Sequence, residues 1–437
     1  MSFENWNEVE LGRLIESISV THSLSNDKVI FLNTSDILEG RVLHQNYSSV
    51  KGLPGQAKKS IKKHDILFSE IRPANKRFAY IDFDADDYVV STKLMVLRRV
   101  SEQINNRFLY LILTSKEMLD YLQGVAEFRS GTFPQITFNE LRKIKISLPP
   151  AEEQVGICNV IESIQGKIEL NNAINKNLEE MAQALFKRWF IDFEFPNENG
   201  EPYKSSGGEF EESELGMIPK GWKLTQLEEL IDINPKRVLK KGECKPYVEM
   251  KNIQNNYARV SKYVMREYNS GSKFSNGDVL FARITPCLEN GKTAYVDFLK
   301  GNEVGWGSTE FLVLRSRPGI PSEFTYFLAR SDQFRSHAIL SMTGSSGRQR
   351  VPESSLRNYR VPLPVTPDLI LAFGEVVKST LNLMKRNDDE SNRLIQIRDT
   401  LLPKLMSGEI RVPVDQESPQ ATTRQIVAEE NESYNAT

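Results

Sequence analysis

The chain has 437 residues, with 56 Lys and Arg against 58 Asp and Glu, a net charge of −2 and 39% hydrophobic residues. That length predicts two or three domains of a soluble globular protein, and no apolar run approaches the ~18 residues a membrane span needs. The cysteines, Cys158, Cys244 and Cys287, lie far apart without CxxC spacing, which excludes a disulfide framework and a cysteine zinc site and fits a reducing cytoplasm. The N-terminus MSFENWNEVE has neither the basic nor the apolar region of a secretory signal.

In chain order, residues 1–150 read as an α+β block. DILF, FAYIDF and KLMVLRR are short β-rich runs between turn residues, followed by a helical pattern over NNRFLYLILTSKEMLDYLQ. A loop, Arg129-Ser130-Gly131-Thr132, leads to a last strand that ends at a proline pair. Residues 151–196 then predict one long helix. Glu152 and Glu153 suit its N-terminus, and Ile157, Ile161, Ile164, Ile168, Leu178, Ala182, Leu185 and Trp189 form a heptad seam. At ~1.5 Å per residue the seam spans roughly 50 Å, long for a core helix. Asn171 and Asn175 hold its middle, where buried amides set register at a cost in stability. Residues 197–215, rich in Gly, Pro, Ser and acid, read as a linker.

Residues 216–366 read as a second α+β block and 367–408 as a second long helix. The second seam is Leu369, Phe373, Val376, Thr380, Leu383, Asn387, Glu390, Leu394, Ile397 and Leu401. In an antiparallel pair its polar middle, Asn387 and Glu390, meets Asn171 and Asn175. The tail 409–437 is polar and predicts disorder. Net charge is +2 over 1–150, −9 over 151–215, +9 over 216–366 and −4 over 367–437. Basic blocks suit a polyanion, and acidic helical blocks suit protein partners.

The blocks are copies. Asn5-Trp6 matches Gly221-Trp222, HDILFSEIRP (64–73) lies on GDVLFARITP (277–286), and STKLMVLR (91–98) lies on STEFLVLR (308–315). FPQITFNELRKIKISLPP (133–150) parallels GRQRVPESSLRNYRVPLP (347–364), with Leu141 on Leu356 and Leu148 on Leu363. The repeat is about 215 residues, each unit a block followed by a helix.

Three stretches together, LPPAEEQ, the IELNNAINKNLEEMAQALFKRWFIDFEFP helix and the ELGMIPKGW restart, closely resemble the specificity subunit of type I restriction–modification systems. The resemblance covers nearly the whole chain. It implies two target-recognition domains, each reading half of a bipartite double-stranded DNA site, separated by two long antiparallel helices as a coiled-coil spacer. It also implies two modification (methyltransferase) subunits docked on the helices, with restriction subunits attached through them. S-adenosylmethionine, ATP and magnesium would belong to those partners, and this chain would carry no cofactor. In the second half PLPVTPD replaces the proline pair and Glu-Gln, which implies a different angle or different partner contacts at that helix start. On this reading, lengthening or shortening the helices by a turn or two changes the gap between half-sites.

DNA recognition needs phosphate contacts for register and base-edge contacts for sequence. Candidates in the first block are Lys58, Lys59, Lys62, Lys63, Arg72, Lys76 and Arg77, with Gly131, Thr132 and Gln135 in the loop. Those in the second are Lys236, Arg237, Lys240, Lys241 and Arg283, with Ser346, Arg348, Gln349 and Arg350 in the glycine loop. Arginine reads guanine and Asn or Gln reads adenine, so the loops predict different half-sites. For any single lysine, a solvated surface charge is the simpler reading.

Catalytic motifs of an amino-methyltransferase or a P-loop motor are missing from the sequence. Asp232 with Glu243-Cys244-Lys245, and Asp368 with Glu375 and Lys378, imitate nuclease metal spacing. The first lies in a basic turn-rich stretch with no repeat partner, the second at a helix start that favours acids. His22, His44, His64 and His337 lack metal-ligand spacing. The expectation is a non-enzymatic subunit. The alternatives are a free-standing bipartite DNA-binding protein, or a coiled-coil scaffold whose blocks bind proteins.

Overall fold

A computed structural model of the chain describes residues 6–129, 132–255 and 257–413. The chain forms two units, residues 1–167 with 393–437, and residues 168–392. Each unit holds one α+β block, part of the central helix and part of the C-terminal helix.

In the first unit the β-rich runs form two four-stranded sheets. One is antiparallel, in the order Ile15–Ile18, Leu94–Arg99, Ile66–Ser69, Phe78–Tyr80. The other is Tyr47–Ser49, Lys28–Leu32, Tyr88–Ser91, Ala57–Ser60, with its middle two strands parallel. Ile66–Ser69 is buried along its whole length, as an unbroken apolar run requires when both faces are covered. Helices Asn106–Thr114 and Lys116–Arg129 place Phe108, Leu109 and Leu122 in the core over the first sheet. The N-terminal strand Asn7–Glu10 pairs antiparallel with Lys145–Leu148 and so delivers the chain to the central helix.

The second unit repeats both four-stranded sheets in the same strand order. Its sheets run Ile231–Ile233, Phe311–Ser316, Asp278–Ala282, Thr293–Tyr295 and Val264–Glu267, Cys244–Val248, Gly305–Gly307, Ser272–Phe274. Trp222–Gln226 pairs with Arg360–Pro364 as the terminal strands do in the first unit.

The helices run Ala151–Phe190 and Asp368–Met406. Within the first unit, Arg398 donates to Gln165 at 2.8 Å, and Ile157, Cys158 and Ile161 share a core with Leu405. Within the second, Asn171 donates to Glu390 (2.8 Å) and Ser391 (3.2 Å), Asn175 to Asp388 (2.8 Å), and Asn387 to Asn175 (2.8 Å). Phe186 and Phe190 meet Phe373. Rising numbers on one helix meet falling numbers on the other, so the helices are antiparallel in each unit.

The second seam differs from the heptad reading. Val376, Leu383 and Ile397 are exposed, and Val377, Leu381, Met384 and Ser391 are buried in their place. An α-helix turns every 3.6 residues, so a stripe that also packs on a globular block drifts off a strict 3.5-residue repeat. The helices are part of each unit's core: Ala182, Phe186 and Phe373 lie in one cluster with Phe324, Tyr326 and Phe327. Residues 197–215, expected as a linker, are folded instead. Phe210–Ser213 forms a hairpin with Gly216–Pro219, and Phe195 stacks on Tyr203 and Trp222 at 4.6 and 5.2 Å. Aromatic residues, overlooked beside the glycines and acids, order it. The expected disordered tail lies outside the described residues from 414 onward. Among the described residues, no helix is long and apolar enough to cross a membrane.

The cysteines offer a simple check. Cys158 is buried against the first core, and burial pushes its thiol up to about 12, while Cys244 is exposed. Thiolate is the reactive form. One cysteine, Cys244, is expected to react rapidly with a disulfide reagent in the native chain, and Cys158 only on unfolding. Rapid labelling of Cys158 in the folded chain would contradict this packing.

Candidate nucleic-acid interface

In each unit two loops are laced together by the backbone. In the first, the connection after Ile66–Ser69 meets the loop before helix Phe138–Leu141: Ile71 bridges Gln135, the Arg72 N–H donates to the Pro134 carbonyl (3.2 Å), and the Ile136 N–H to the Glu70 carbonyl (2.9 Å). In the second, Ile284 bridges Arg350, the Thr285 N–H donates to the Gln349 carbonyl (3.1 Å), and the Val351 N–H to the Arg283 carbonyl (2.9 Å). This ladder corrects the end-to-end alignment by one residue. Gln135 corresponds to Arg350 and Pro134 to Gln349.

At the first junction Arg72 is exposed with a left-handed backbone, φ 45°, a conformation uncommon for a residue with a β-carbon. Thr132 is exposed and Gln135 half-buried beside it. Gly131 lies outside the described residues. At the second junction a hairpin is closed by reciprocal backbone bonds between Thr343 and Arg350 (3.0 and 2.9 Å). Gly344 and Gly347 take positive φ (122° and 77°) and carry Ser346 and Arg348 on an exposed tip. Among the described residues Arg348 has no side-chain partner, so it is free to reach a ligand. The Thr285 hydroxyl accepts from the Gln349 N–H at 3.1 Å, which fixes the base of the tip. Arg350 is engaged by Glu310: Nε and Nη2 donate to its carboxylate at 2.6–3.0 Å. Arg283 is half-buried and its Nε has no hydrogen-bond partner among the described residues.

Lys58, Lys62 and Lys63 are exposed and unpaired among the described residues, as are Lys236, Lys240 and Lys241. Lys236 also lines a cleft of about 670 Å³ with Tyr268, Lys273 and Thr309, the neighbour of Glu310. Lys76 is ion-paired with Glu39 at 3.0 Å on the surface. Three of the candidate cations are tied into the scaffold. Lys59 is half-buried and donates to the Leu94 carbonyl at 2.7 Å. The Arg77 guanidinium ties down the carbonyls of Ser35 and Ile37 at 3.0 and 3.1 Å. Arg237 is 12% exposed, donating to Ser275 (2.6 Å) and to Asp278 (2.7 Å), which is fully buried. Each cation found an acceptor that composition could not reveal.

The carboxylates with nuclease-like spacing do not assemble. Asp232, on one sheet, pairs with Arg317 at 2.9 Å, whereas Lys245 is on a strand of the other sheet and Glu243 just precedes that strand. Glu375 faces Lys378 one turn along the C-terminal helix at 3.7 Å. The sequence reading missed Glu70, Lys93 and Glu310 at the junctions, and Asp388 and Ser391 in the helix pair. The paired segments STK and STE held the signal for Lys93 and Glu310.

Comparison with known proteins identifies the two blocks. The family model described as "Type I restriction modification DNA specificity domain" matches residues 4–180 and again 219–386. The chain is 32% identical, over an alignment 460 positions long, to the type I restriction enzyme HindI specificity subunit of Haemophilus influenzae, covering 93% of this chain and all of that one. It is 26% identical to the MjaIX specificity subunit of Methanocaldococcus jannaschii, over 70% of this chain and 69% of the relative. The fold is similar to the type I restriction–modification S subunit of M. genitalium, with TM-score 0.53, 15% identity, and 92% and 96% of the two chains covered. The two α+β blocks that carry the laced loop junctions lie within the two matched segments, and the chain belongs to the family of type I restriction–modification specificity subunits.

Proposed function

We infer that the chain binds double-stranded DNA at a bipartite target, one half read by each unit, and directs partner subunits that methylate adenine and cleave. Two modification subunits would dock on the acidic helices, with restriction subunits held through them. S-adenosylmethionine, ATP and magnesium would be bound by those partners in the cytoplasm, and the chain alone would catalyse nothing. One observation carries this reading. The same loop junction occurs twice on the same scaffold with different side chains at its tips, as two readers of different sequences require.

The test is reconstitution with the modification subunits, followed by mapping of methylated adenines across a genome. A bipartite motif with a fixed gap is expected, and methylation without such a motif would overturn the reading. Phosphate contacts give a second measure. Lys62→Ala and Lys63→Ala should each weaken binding uniformly across sequences and lower the salt slope by about 1. An unchanged slope in both would remove these lysines from the interface.

A further inference from the structure

The two junctions share a backbone and invert their charges. In the first unit the Glu70 N–H donates to the Lys93 carbonyl at 3.4 Å, and in the second the Arg283 N–H donates to the Glu310 carbonyl at 3.0 Å. With the ladder register, three positions correspond: Glu70 to Arg283, Lys93 to Glu310, and Gln135 to Arg350. An acid stands against a base, a base against an acid, and a neutral amide against a guanidinium. A neighbouring strand carbonyl is capped by a side chain in both units. Lys59 Nζ caps the Leu94 carbonyl, and the equivalent Ser272 hydroxyl caps the Phe311 carbonyl at 2.8 Å. Scaffold requirements therefore do not dictate the swap, since the same backbone tolerates both sets.

The geometry at Arg350 goes further. Glu310 occupies Nε and one side of Nη2. A guanidinium has five N–H groups in a rigid fork. With that edge held, and Nη1 making only a long 3.4 Å bond to the Arg348 carbonyl, the end-on edge formed by Nη1 and the remaining Nη2 hydrogen is left as a pair of parallel donors. Glu310 is 23% exposed against 45% for Arg350, so the acid lies beneath and the arginine outside. A pair of parallel donors matches guanine O6 and N7, and holding the plane in advance lowers the ordering cost of that contact. Gln135, at the same ladder position, offers the donor and acceptor that match adenine N7 and N6, and the position matching Glu310 is the exposed Lys93.

We propose that positions 283, 310 and 350, with 70, 93 and 135 in the other unit, set base choice: Arg350, buttressed by Glu310, reads a guanine in one half-site, and Gln135 reads an adenine at the corresponding place in the other. This rests on the function inferred above. Here Arg350 is the reader and Glu310 a positioning residue.

The experiment uses the full chain with its modification subunits and reads the methylated motif. Arg350→Ala should cost about 5- to 150-fold in discrimination at one guanine of one half-site. Arg350→Lys should lose most of it, because an ammonium cannot fork. Glu310→Gln, nearly isosteric, should relax the same position to a smaller extent, with the other half-site and the gap unchanged. The triple variant Arg283→Glu, Glu310→Lys, Arg350→Gln should shift that position from guanine towards adenine. The proposal is overturned if Arg350→Ala and Glu310→Gln leave the motif unaltered, or if they relax different positions. Failure of the wild-type complex to write any bipartite motif would instead sink the underlying function.

Discussion

Asp278→Ala is expected to destabilise the second unit by about 3–5 kcal/mol, the usual effect of removing one partner of a buried ion pair. Asp278 is fully buried on the strand Asp278–Ala282. It holds Arg237 at 2.7 Å and Arg315 at 3.1 Å and accepts the Ser275 N–H at 2.7 Å. Alanine leaves Arg237 buried without its acid and the turn without its acceptor. The first unit repeats the device: Asp65, 1% exposed, accepts twice from Arg98 at 2.7 Å and once from the Lys62 N–H at 2.7 Å. Asp65→Ala should therefore weaken the first unit in the same way. Urea unfolding followed by amide hydrogen exchange would assign each loss to its unit. A midpoint shift worth less than about 0.5 kcal/mol, the range of an ordinary surface change, would show that these pairs are not needed. Arg237→Ala separates core from interface: it should lower stability and leave the salt slope of the surviving folded chain unchanged.

The repeat was legible because it is written in apolar runs. DILF and VLFA, or KLMVLRR and EFLVLR, have the burial pattern their composition demands, and so the strands and the long helices follow from periodicity. Charged side chains were less legible, since their role depends on what the fold sets opposite them. Lys62 and Arg237 look alike in a basic cluster, but Lys62 is exposed and Arg237 is walled in by Ser275 and Asp278. Arg348 and Arg350 look alike in a glycine loop, yet only Arg350 meets Glu310, 40 residues earlier in the chain. The amides of the helix pair were readable as a polar notch, but Tyr257, which donates to Asp388 at 2.9 Å and accepts from Asn175 at 2.9 Å, arrives from the globular block and carries no mark of it in sequence. Heptad counting failed at Val377, Leu381 and Met384, which join the core that also holds Phe324 and Phe327, since it assumes that a helix packs only on its partner.

Exchanging residues 1–148 for the corresponding block of a related specificity subunit is expected to replace one half of the methylated motif and leave the other half intact. Each unit has its own hydrophobic core, one built on Phe108, Leu109 and Leu122 and one on Phe281, Phe324 and Phe334, so a new block needs no repacking of its counterpart. Each base pair mismatched to a reader costs about 1–3 kcal/mol, roughly additively. A wholly foreign half-site should therefore abolish methylation of the parental motif. The exchange has a condition set by the block's contacts with the central helix. Gln154 accepts from the Asn105 N–H at 2.7 Å and donates to the Gln103 carbonyl at 2.9 Å, and Trp6 donates to Glu153 at 3.1 Å. A donor block that keeps a tryptophan at position 6 and an equivalent turn at 103–105 should assemble as the parent does. One that lacks them should lose stability while its half-site preference survives in whatever folds. The measurement is the motif written by each reconstituted complex, beside a melting curve for each chimera. If one exchange altered both half-sites in a chimera as stable as the parent, separate reading would be wrong, and both blocks would have to be treated as one DNA-binding surface.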